Sequence, residues 1–433
     1  MPRVSLRNSI RRHEWFAVSV AFVYFFCVLA AYYIIRPVRD QLAAAVGSQD
    51  LVYFYAVVFV VMLALTPLFG ALVARYPRKY FVPVVYMICA LITLAFVPAF
   101  QLQDQIGARN LGIMFFVWGS VFNLFVVAVF WSFMADLFDV AQANRLFPVI
   151  ALGGALGAVL GPVLPNYFVG VVGVAGLLVV SASLLGASIV CVFALLRWSQ
   201  RHPVVGDVDR NARVIGGSMI AGAIRTLQSP FLRRVALLMV LGDCFGTIVY
   251  ALLTDYTHDA FTTREARIEF AAGIDFWSNL IQAVVQITLT REIMIRLGPQ
   301  YAIALDGLIK ALVVTGLVLM GLPWIAMVGI ITRASAYGVF KPALDSLYTR
   351  VDAEIRYKGK DFIDTAVWRF GDVVVTGGFN ALRALGTTLP GFAVFCAMAA
   401  AASSWIGWRI VRVPELLQGP HNATDREPAS GRS

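Results

Sequence analysis

Twelve long apolar runs constrain this sequence more than any other feature. A helix that crosses a bilayer needs about 20 consecutive apolar residues. Runs of about that length lie at approximately 15–36, 51–74, 80–100, 110–134, 146–168, 172–197, 231–254, 268–290, 300–321, 324–346, 364–388 and 390–411. The sequence therefore predicts an all-α membrane protein with twelve transmembrane helices, numbered in chain order.

The composition indicates that lipid is the main solvent. Of the 433 residues, 60% are hydrophobic and only 14% are charged, whereas a soluble domain carries about 25% charged residues. The net charge is +10, but the basic residues lie between the apolar runs and form no single patch. They therefore indicate membrane topology, and we expect no nucleic acid among the partners of this protein.

The distribution of Lys and Arg sets the expected orientation. With the N terminus in the cytoplasm, the inside segments that carry these residues are 1–14, 75–79, 198–230, 291–296, 350–360 and 409–412. The outside loops hold little more than Arg109, Arg264 and Arg267. Because cytoplasmic loops carry an excess of Lys and Arg, both termini are expected in the cytoplasm, with the chain in a bacterial inner membrane.

A long polar interruption divides the chain into six helices plus six. We expect an N-terminal bundle at 1–197, a cytoplasmic linker at 198–230 and a C-terminal bundle at 231–413. The polar stretch 414–433, which contains Pro, Gly and Ser, is typical of a disordered tail.

The two predicted halves resemble each other weakly at corresponding places. The short turn 72–80 matches 293–301 in an Arg and a Tyr, and the end of helix 4 at 129–138 matches the end of helix 10 at 339–348 in Val, Phe and Leu. Two such matches indicate a duplicated six-helix unit. Two halves that rock against each other around a site at the membrane midplane are a carrier architecture.

Ionisable side chains inside membrane helices are functional candidates, because each costs free energy unless it is paired or hydrated. Arg36, Arg39 and Asp40 end helix 1. Asp40 follows Arg36 by four positions and can pair with it, which leaves Arg39 less committed. A planar guanidinium suits a bidentate grip on phosphate or carboxylate. The alternative is a salt bridge that closes a periplasmic gate.

Helices 9 and 10 carry further charges. Asp306 with Lys310, and Lys341 with Asp345, are each four positions apart, so each pair is expected to neutralise itself and to serve structure. Arg333 has no acid within one helical turn. It is therefore expected to face a polar cavity and to bind an anion.

Helices 7 and 8 contain buried acids. Asp243 lies in helix 7, and helix 8 has one polar stripe made of Asp275, Asn279, Gln282 and Gln286. Asp243 and Asp275 are candidates for proton coupling, because burial can bring the titration of a carboxyl toward working pH. The alternative is that they pair with Arg333 or Arg369.

Three other groups complete the candidate set. Helix 4 carries Trp118 and Asn123, and helix 11 carries Arg369 and Asp372 one turn apart. The small residues of helix 5, which indicate close helix packing, are Gly153, Gly154, Gly157 and Gly161. The five cysteines lack a CxxC pair and the four histidines are scattered, so we expect no disulfide framework, metal or cofactor.

Three stretches, taken in order, resemble the nucleotide transporters, which are the ATP/ADP translocases of plastids and intracellular bacteria. The first stretch is Ile35–Asp40. The second comprises Trp118–Ser120, Phe130–Phe133 and Arg145–Pro148. The third comprises Tyr357–Lys360, Ile363–Asp364 and Arg369–Gly371. The resemblance implies a fold of the major facilitator type and anionic, nucleotide-like substrates. It also implies that Arg39 stands for a substrate-binding lysine of that family.

The chain departs from the family pattern at three charged positions. Val117 replaces an acid before the Trp of helix 4, Tyr250 replaces an acid of helix 7, and Asp372 replaces a lysine of helix 11. The resemblance therefore implies a divergent bacterial relative, in which ATP/ADP exchange itself need not be retained.

The sequence as a whole predicts a secondary carrier that works by alternating access and is not an enzyme, since no nucleophile–base pair is present. Its cavity is expected among helices 1, 4, 5, 7, 8, 10 and 11. The candidate substrate-binding residues are Arg36, Arg39, Arg333, Trp118, Asn123, Asn279 and Arg369. The candidate coupling residues are Asp243 and Asp275. The expected gating or structural residues are Asp40, Asp306, Lys310, Lys341, Asp345 and Asp372.

The expected partners are an anionic small molecule, a proton or counter-substrate, and the bilayer around a monomer. Two other functions remain open. Proton-driven efflux of amphipathic compounds would use an aromatic lining made of Trp118, Trp131, Trp277 and Trp368. A membrane sensor or scaffold that transports nothing would instead form a tight helix bundle without a hydrated cavity.

Overall fold

The computed structural model describes residues 10–76, 78–201, 219–351 and 359–418, and nearly all of them are helical. The long helices without a π-helical turn are α1 (Trp15–Val46), α2 (Leu51–Arg75), α3 (Arg78–Gln101), α4 (Ala108–Leu137), α5 (Val140–Leu160), α6 (Val163–Arg201, with a kink at Gly173), α7 (Pro230–Ala260), α9 (Pro299–Met320) and α12 (Leu389–Arg409). The other three contain a π-helical turn. They are α8 (Arg264–Val285, turn Gln286–Thr290, Arg291–Arg296), α10 (Ile325–Ser335, turn Ala336–Phe340, Lys341–Tyr348) and α11 (Lys360–Phe362, turn Ile363–Val367, Trp368–Ala384).

Among the described residues, nine helices are long and apolar enough to cross a membrane. The nine do not include α5, α8 and α11, although α5 has a shorter apolar stretch at Arg145–Leu160. The prediction of an all-α, multi-pass membrane protein is confirmed at this level.

The backbone changes direction twice near the predicted break between the fifth and sixth helices. The apolar runs place that break between residues 168 and 172, and a kink at Gly173, with φ of 64°, divides α6 next to this position. Glycine adopts such a conformation at little cost. An additional break was not predicted, because α5 ends at Leu160 and α6 begins at Val163. Pro162 has no backbone N–H and is better placed before a helix than inside one.

The chain forms two compact units. Unit 1 comprises Met1–Val214 and Tyr250–Leu280, and unit 2 comprises Ile215–Val249 and Ile281–Ser433. The predicted bundles at 1–197 and 231–413 differ from these units, because the prediction places Tyr250–Leu280 in the second bundle. The boundary between the units therefore lies inside α7 and again inside α8.

Several predicted loop features lie outside the described residues. These are the basic residues at 1–9, 202–218 and 352–358, and the tail at 419–433. The described end of the predicted linker is helical at Met219–Gln228. The start of the predicted disordered tail is also helical at Pro414–Gln418, where Glu415 accepts a hydrogen bond of 3.0 Å from the hydroxyl of Ser229.

In unit 1, α1 packs against α4, α5 and α6. The glycines of α5 face α1 so closely that side chains would not fit. A Cβ at Gly153 would overlap the backbone oxygen of Phe22, and one at Gly157 would overlap that of Phe26. The prediction of close helix packing at these glycines is confirmed.

Gly153→Ala is expected to destabilise the protein by about 1–3 kcal/mol, because the new methyl group would overpack the α1–α5 interface. Gly186→Ala in α6 is the matched control, since nothing lies within 4 Å of a Cβ built there. That control should be neutral, or stabilising by up to about 1 kcal/mol through helix propensity. Unfolding of the two purified variants in detergent measures both values. Equal stability would contradict the packing.

Two polar contacts fix α1 within unit 1. The hydroxyl of Tyr24 donates to that of Tyr86 at 2.8 Å, deep in the core. Before α1, the buried Glu14 accepts hydrogen bonds from the Arg145 guanidinium at 3.0 Å and from the Arg11 backbone N–H at 2.9 Å. Burial opposes the charge of Glu14, but these hydrogen bonds and one from Gln142 hold its pKa below the ordinary value.

In unit 2, α9 and α12 pack tightly. A Cβ at Gly307 would lie 2.6 Å from the backbone oxygen of Ala400. The π turns of α8 and α10 are joined, because Thr290 donates its hydroxyl proton to the backbone oxygen of Gly338 at 2.6 Å. Since π turns inside α-helices occur frequently at functional sites, α8, α10 and α11 are the first helices of this unit to search for a site.

Candidate functional site

A charged cluster lies on the second half of α1. Both Nε and Nη2 of Arg39 donate to Oδ1 of Asp40, at 2.9 and 2.7 Å. The hydroxyl of Tyr250 donates to the same oxygen at 2.9 Å. The predicted order of pairing is therefore wrong, because Arg39 and not Arg36 is the main partner of Asp40.

The packing of α4 explains why Arg39 turns toward its neighbour. The guanidinium lies over the ring of Phe116, 4.7 Å from its centroid. A Cβ at Gly119 would lie 3.1 Å from Cδ of Arg39, so α4 confines the side chain along the helix surface. Sequence spacing gives no indication of this confinement, since adjacent residues of a helix do not normally face each other.

Arg36 lies between two carboxylates without bonding closely to either. Its Nη1 is 3.6 Å from Oδ1 of Asp275, and its Nε is 3.9 Å from Oδ2 of Asp40. The buried Nε has no hydrogen-bond acceptor among the described residues. Two nearby negative charges hold the guanidinium in place, while its hydrogen-bond donors stay available to an anion.

The remaining polar contacts of this region join α1 and α5 to Tyr250–Leu280. Ser48 donates its backbone N–H and its hydroxyl to Asp255 at 3.0 and 2.8 Å. Nδ1 of His258 is 2.7 Å from the backbone oxygen of Ala44. Sequence reasoning missed Asp255 and His258, because their partners lie about 200 positions earlier in the chain and no local pattern marks them.

Asn279 and the two candidates of α4 have different surroundings. Asn279 donates to the backbone oxygen of Ala158 at 2.7 Å, so it joins α8 to α5. The indole N–H of the buried Trp118 has no acceptor among the described residues, and its ring lies edge-on to Phe122. Asn123 is half-buried. Of the three, Trp118 keeps a free donor that a ligand could use.

The four tryptophans expected to line an efflux cavity do not share one environment. Trp131 packs against the rings of Phe25 and Phe130 within unit 1. Trp277 is 52% exposed. Trp368 lines a cavity in unit 2. This distribution gives the efflux hypothesis no support.

Unit 2 contains an open cavity of about 170 Å³. It is lined by Leu238, Met239, Gly242, Asp243, Phe245, Gly246, Lys310, Thr332, Arg333, Ala336, Tyr337, Phe340, Lys341 and Trp368. Arg333 faces a cavity as predicted. Lys310 of α9 also lines it, although α9 was not expected to contribute.

The charges around this cavity pair in part as predicted. Lys310 lies 2.7 Å from Oδ2 of Asp306, which confirms that pair, and Ser335 donates to the other oxygen of Asp306 at 2.6 Å. Lys341 is 3.9 Å from Asp345 but only 3.2 Å from Asp364.

The predicted Lys341–Asp345 pair is therefore the weaker one, because α11 places closer opposite charges against α10. Lys360 of α11 donates to Asp345 at 2.6 Å. The result is a network of two lysines and two acids that joins α10 to α11, where a self-neutralised pair within α10 was expected.

Behind the cavity wall, a second acid adjoins Asp243. Asp372 of α11 accepts a hydrogen bond from Arg369 at 3.3 Å and another from Thr247 at 3.2 Å. Asp243 and Asp372 are close enough to share a hydrogen bond. Of the two predicted coupling residues, Asp243 belongs to unit 2 and Asp275 to unit 1.

Gly371→Ala tests the position of the Asp243 carboxyl. A Cβ at Gly371 would lie 2.7 Å from Oδ2 of Asp243, so the carboxyl must move. We expect uptake to fall at least about tenfold, because a small misplacement in a binding site has a large effect. Gly378→Ala in the same helix is the control, since nothing lies within 4 Å of a Cβ built there. Equal uptake by the two variants would contradict the assignment of Asp243 to the functional site.

Comparisons with known proteins give distant relatives and a clear fold. No family model matches the chain. ADP,ATP carrier protein 1 of Chlamydia trachomatis is 22% identical over 84% of this chain and 81% of the relative. ADP,ATP carrier protein 3 of Rickettsia felis is 21% identical over 64% of each chain.

Solved structures of transporters superpose over almost the whole chain. The xylose transporter XylE from E. coli, in an inward open conformation, gives a TM-score of 0.63 at 12% identity over 93% of this chain and 99% of that one. The POT family transporter PepTSo gives 0.62 at 14% identity over 94% and 99%. The nucleoside transporter NupG gives 0.57 at 13% identity over 93% and 99%.

The chain therefore has the fold of major facilitator transporters and a distant relationship to ADP,ATP carrier proteins. The relatives and the similar structures are transporters and not enzymes. Both the resemblance drawn from the sequence motifs and the expectation that this is not an enzyme are confirmed.

Proposed function

We propose that this protein is a secondary active transporter that carries an anionic small molecule across the bacterial inner membrane by alternating access. The proposal starts from the fold of the major facilitator transporters and the distant relationship to ADP,ATP carriers. The substrate is a phosphate or carboxylate compound, with nucleotides as the first candidates. The same proposal includes twelve membrane crossings in two six-helix repeats, both termini in the cytoplasm, and a monomer.

Arg36 is the observation that carries the substrate class. Its guanidinium is held near two carboxylates at 3.6 and 3.9 Å and makes no hydrogen bond among the described residues. A buried cation with free donors is costly to maintain for structure alone. It suits an anion, because a guanidinium binds phosphate or carboxylate through two parallel hydrogen bonds.

The cavity of unit 2 supports the same class of substrate. Arg333 lines it together with the single acid Asp243, while the two lysines of the lining, Lys310 and Lys341, are paired with Asp306 and Asp364. Apolar and aromatic walls such as Phe340 and Trp368 surround these charges, as is usual for a small-molecule site with a few orienting polar groups. The presence of this cavity also weighs against the hypothesis that the protein is a tightly packed scaffold.

Uptake into proteoliposomes tests the proposal. Vesicles are preloaded with unlabelled nucleotide and given labelled ATP, ADP or phosphate, with and without an imposed pH gradient. We expect uptake of at least one of the three anions, reduced about tenfold or more in Arg36→Gln. Absence of uptake in every condition, with folded protein in the vesicles, would overturn the proposed substrate class. Unchanged uptake by Arg36→Gln would instead overturn the role of Arg36.

A further inference from the structure

Asp372 is a buried acid whose hydrogen-bond donors can be counted. Its Oδ1 accepts from the hydroxyl of Thr247 at 3.2 Å, and its Oδ2 accepts from Nη1 of Arg369 at 3.3 Å. The side chain is 7% exposed, so water contributes little. Among the described residues, each oxygen of Asp372 therefore has one donor.

Asp243 lies beside this acid and is less well supplied. Its Oδ2 is buried and has no donor among the described residues. Gly371 leaves just enough room for that oxygen against α11. Within hydrogen-bonding reach of the Asp243 carboxyl lie the indole of Trp368 and the carboxyl of Asp372. A bare carboxylate oxygen buried next to a second carboxylate is unfavourable on both counts, desolvation and like charge.

The charges around the two acids do not supply what is missing. Arg369 bonds to Asp372, and the neighbouring Cys244 is a free cysteine. On the cavity side, Lys310 is bound to Asp306 and Lys341 to Asp364, at 2.7 and 3.2 Å. The other cavity cation, Arg333, also has an interaction of its own. Two carboxylates beside one committed arginine leave an excess negative charge.

We infer that Asp243 and Asp372 hold one proton between them, as a carboxylic acid hydrogen-bonded to a carboxylate, and that this pair is the proton site coupled to transport. The proton comes from water in the cavity and leaves to water when the pair is reopened to the other side. Its binding changes the charge of the pair from −2 to −1, which Arg369 balances.

The position of the pair explains the coupling. Asp243 lines the cavity while Asp372 lies behind it, so the proton and an anion in that cavity share one route. Asp275, the other acid expected to bind a proton, lies 3.6 Å from the Arg36 guanidinium and is not part of this pair. Only the coupling of this proton to transport rests on the proposed function. The shared proton itself can be tested without any substrate.

Infrared spectroscopy of the full-length protein, reconstituted in lipid, tests the shared proton. A protonated carboxylic acid absorbs at a C=O stretch that is separate from the bands of carboxylates, and the band shifts in D₂O. We expect the wild type at neutral pH to show such a band, and both Asp243→Asn and Asp372→Asn to lose it. Glu292→Gln removes an exposed carboxyl of the same unit and should leave the band unchanged.

Further variants keep the test decisive if an asparagine variant does not fold. Asp243→Glu retains a carboxyl in the same cavity and should shift the band without removing it. Absence of the band in the wild type, or its full persistence in a folded Asp243→Asn or Asp372→Asn protein, would overturn the inference.

Coupling is then measured separately from proton binding. A pH-sensitive dye inside the vesicles should report proton entry when ATP, ADP or phosphate is added, and Asp243→Asn should lose that entry. A band that behaves as expected, with proton entry unchanged in Asp243→Asn, would overturn the coupling and leave the shared proton standing. A band that behaves as expected without any anion uptake would show instead that the proposed substrate class is wrong.

Discussion

Arg36→Ala is expected to destabilise the protein by about 3–5 kcal/mol and to abolish uptake of the anion. The stability loss follows because Asp275, whose side chain is 1% exposed, would remain buried without the charge that faces it. The loss of uptake follows because Arg36 has the free donors. Chemical denaturation in detergent and vesicle uptake measure the two effects independently.

A double variant separates the two effects. Arg36→Ala combined with Asp275→Asn removes both charges, so we expect it to recover most of the stability and none of the uptake. Arg109→Ala is the control in the same unit. That arginine pairs with Asp50 at 3.1 Å but is 51% exposed, so its loss should cost less than about 1 kcal/mol. Uptake by the double variant would show that Arg36 serves only to neutralise Asp275.

Lys310→Met is expected to cost about 3–5 kcal/mol as well, because Asp306 is fully buried and would lose its counter-charge. Only the hydroxyl of Ser335 would still donate to that carboxylate among the described residues. The methionine keeps most of the volume of the lysine stem, so the loss of charge dominates the effect. Denaturation of the purified variant measures it.

The matched double variant Asp306→Asn/Lys310→Met should recover most of that stability, and it should transport. Both outcomes follow if the pair serves structure, as its 2.7 Å contact indicates. Arg296→Ala is the exposed control, since the Arg296–Glu292 pair at 2.8 Å lies in solvent. If the double variant were stable but inactive, Lys310 would belong to the binding site, and its pairing with Asp306 would be a resting state.

Much of the fold could be predicted from the sequence because apolar length is a strong signal in lipid. The packing at Gly153 and Gly157 also followed from local spacing. The break at Gly161–Pro162 did not, since an apolar run has no loss of hydropathy where the backbone changes direction. The kink at Gly173, in contrast, lies next to the break predicted at 168–172. The sequence does not predict the π turns either, because they change the backbone hydrogen bonding without requiring a particular residue type.

The sequence predicted which residues belong to the candidate site, but it did not predict all of the pairs that these residues form. The Asp306–Lys310 pair followed from helix spacing, and it exists. Arg369 and Asp372 were noted only as lying one turn apart, and they also pair. The partners of Lys341 and Arg36 come from other helices, so intrahelical spacing named the wrong acid first. The partnership of Asp243 with Asp372 has the same origin, since it joins residues 129 positions apart on two helices.

The π turn of α10 sets the phase of that helix. An α-helix advances about 100° per residue, so eight steps from Arg333 to Lys341 would leave their directions about 80° apart. A π turn accommodates one additional residue, and the eight residues then act as about seven steps, which returns Lys341 to within roughly 20° of Arg333. Both side chains accordingly reach one cavity. Deleting one residue within Ala336–Phe340 would leave seven ordinary α-helical steps between Arg333 and Lys341, so the helix would lose its π turn and still present both charges on the cavity face.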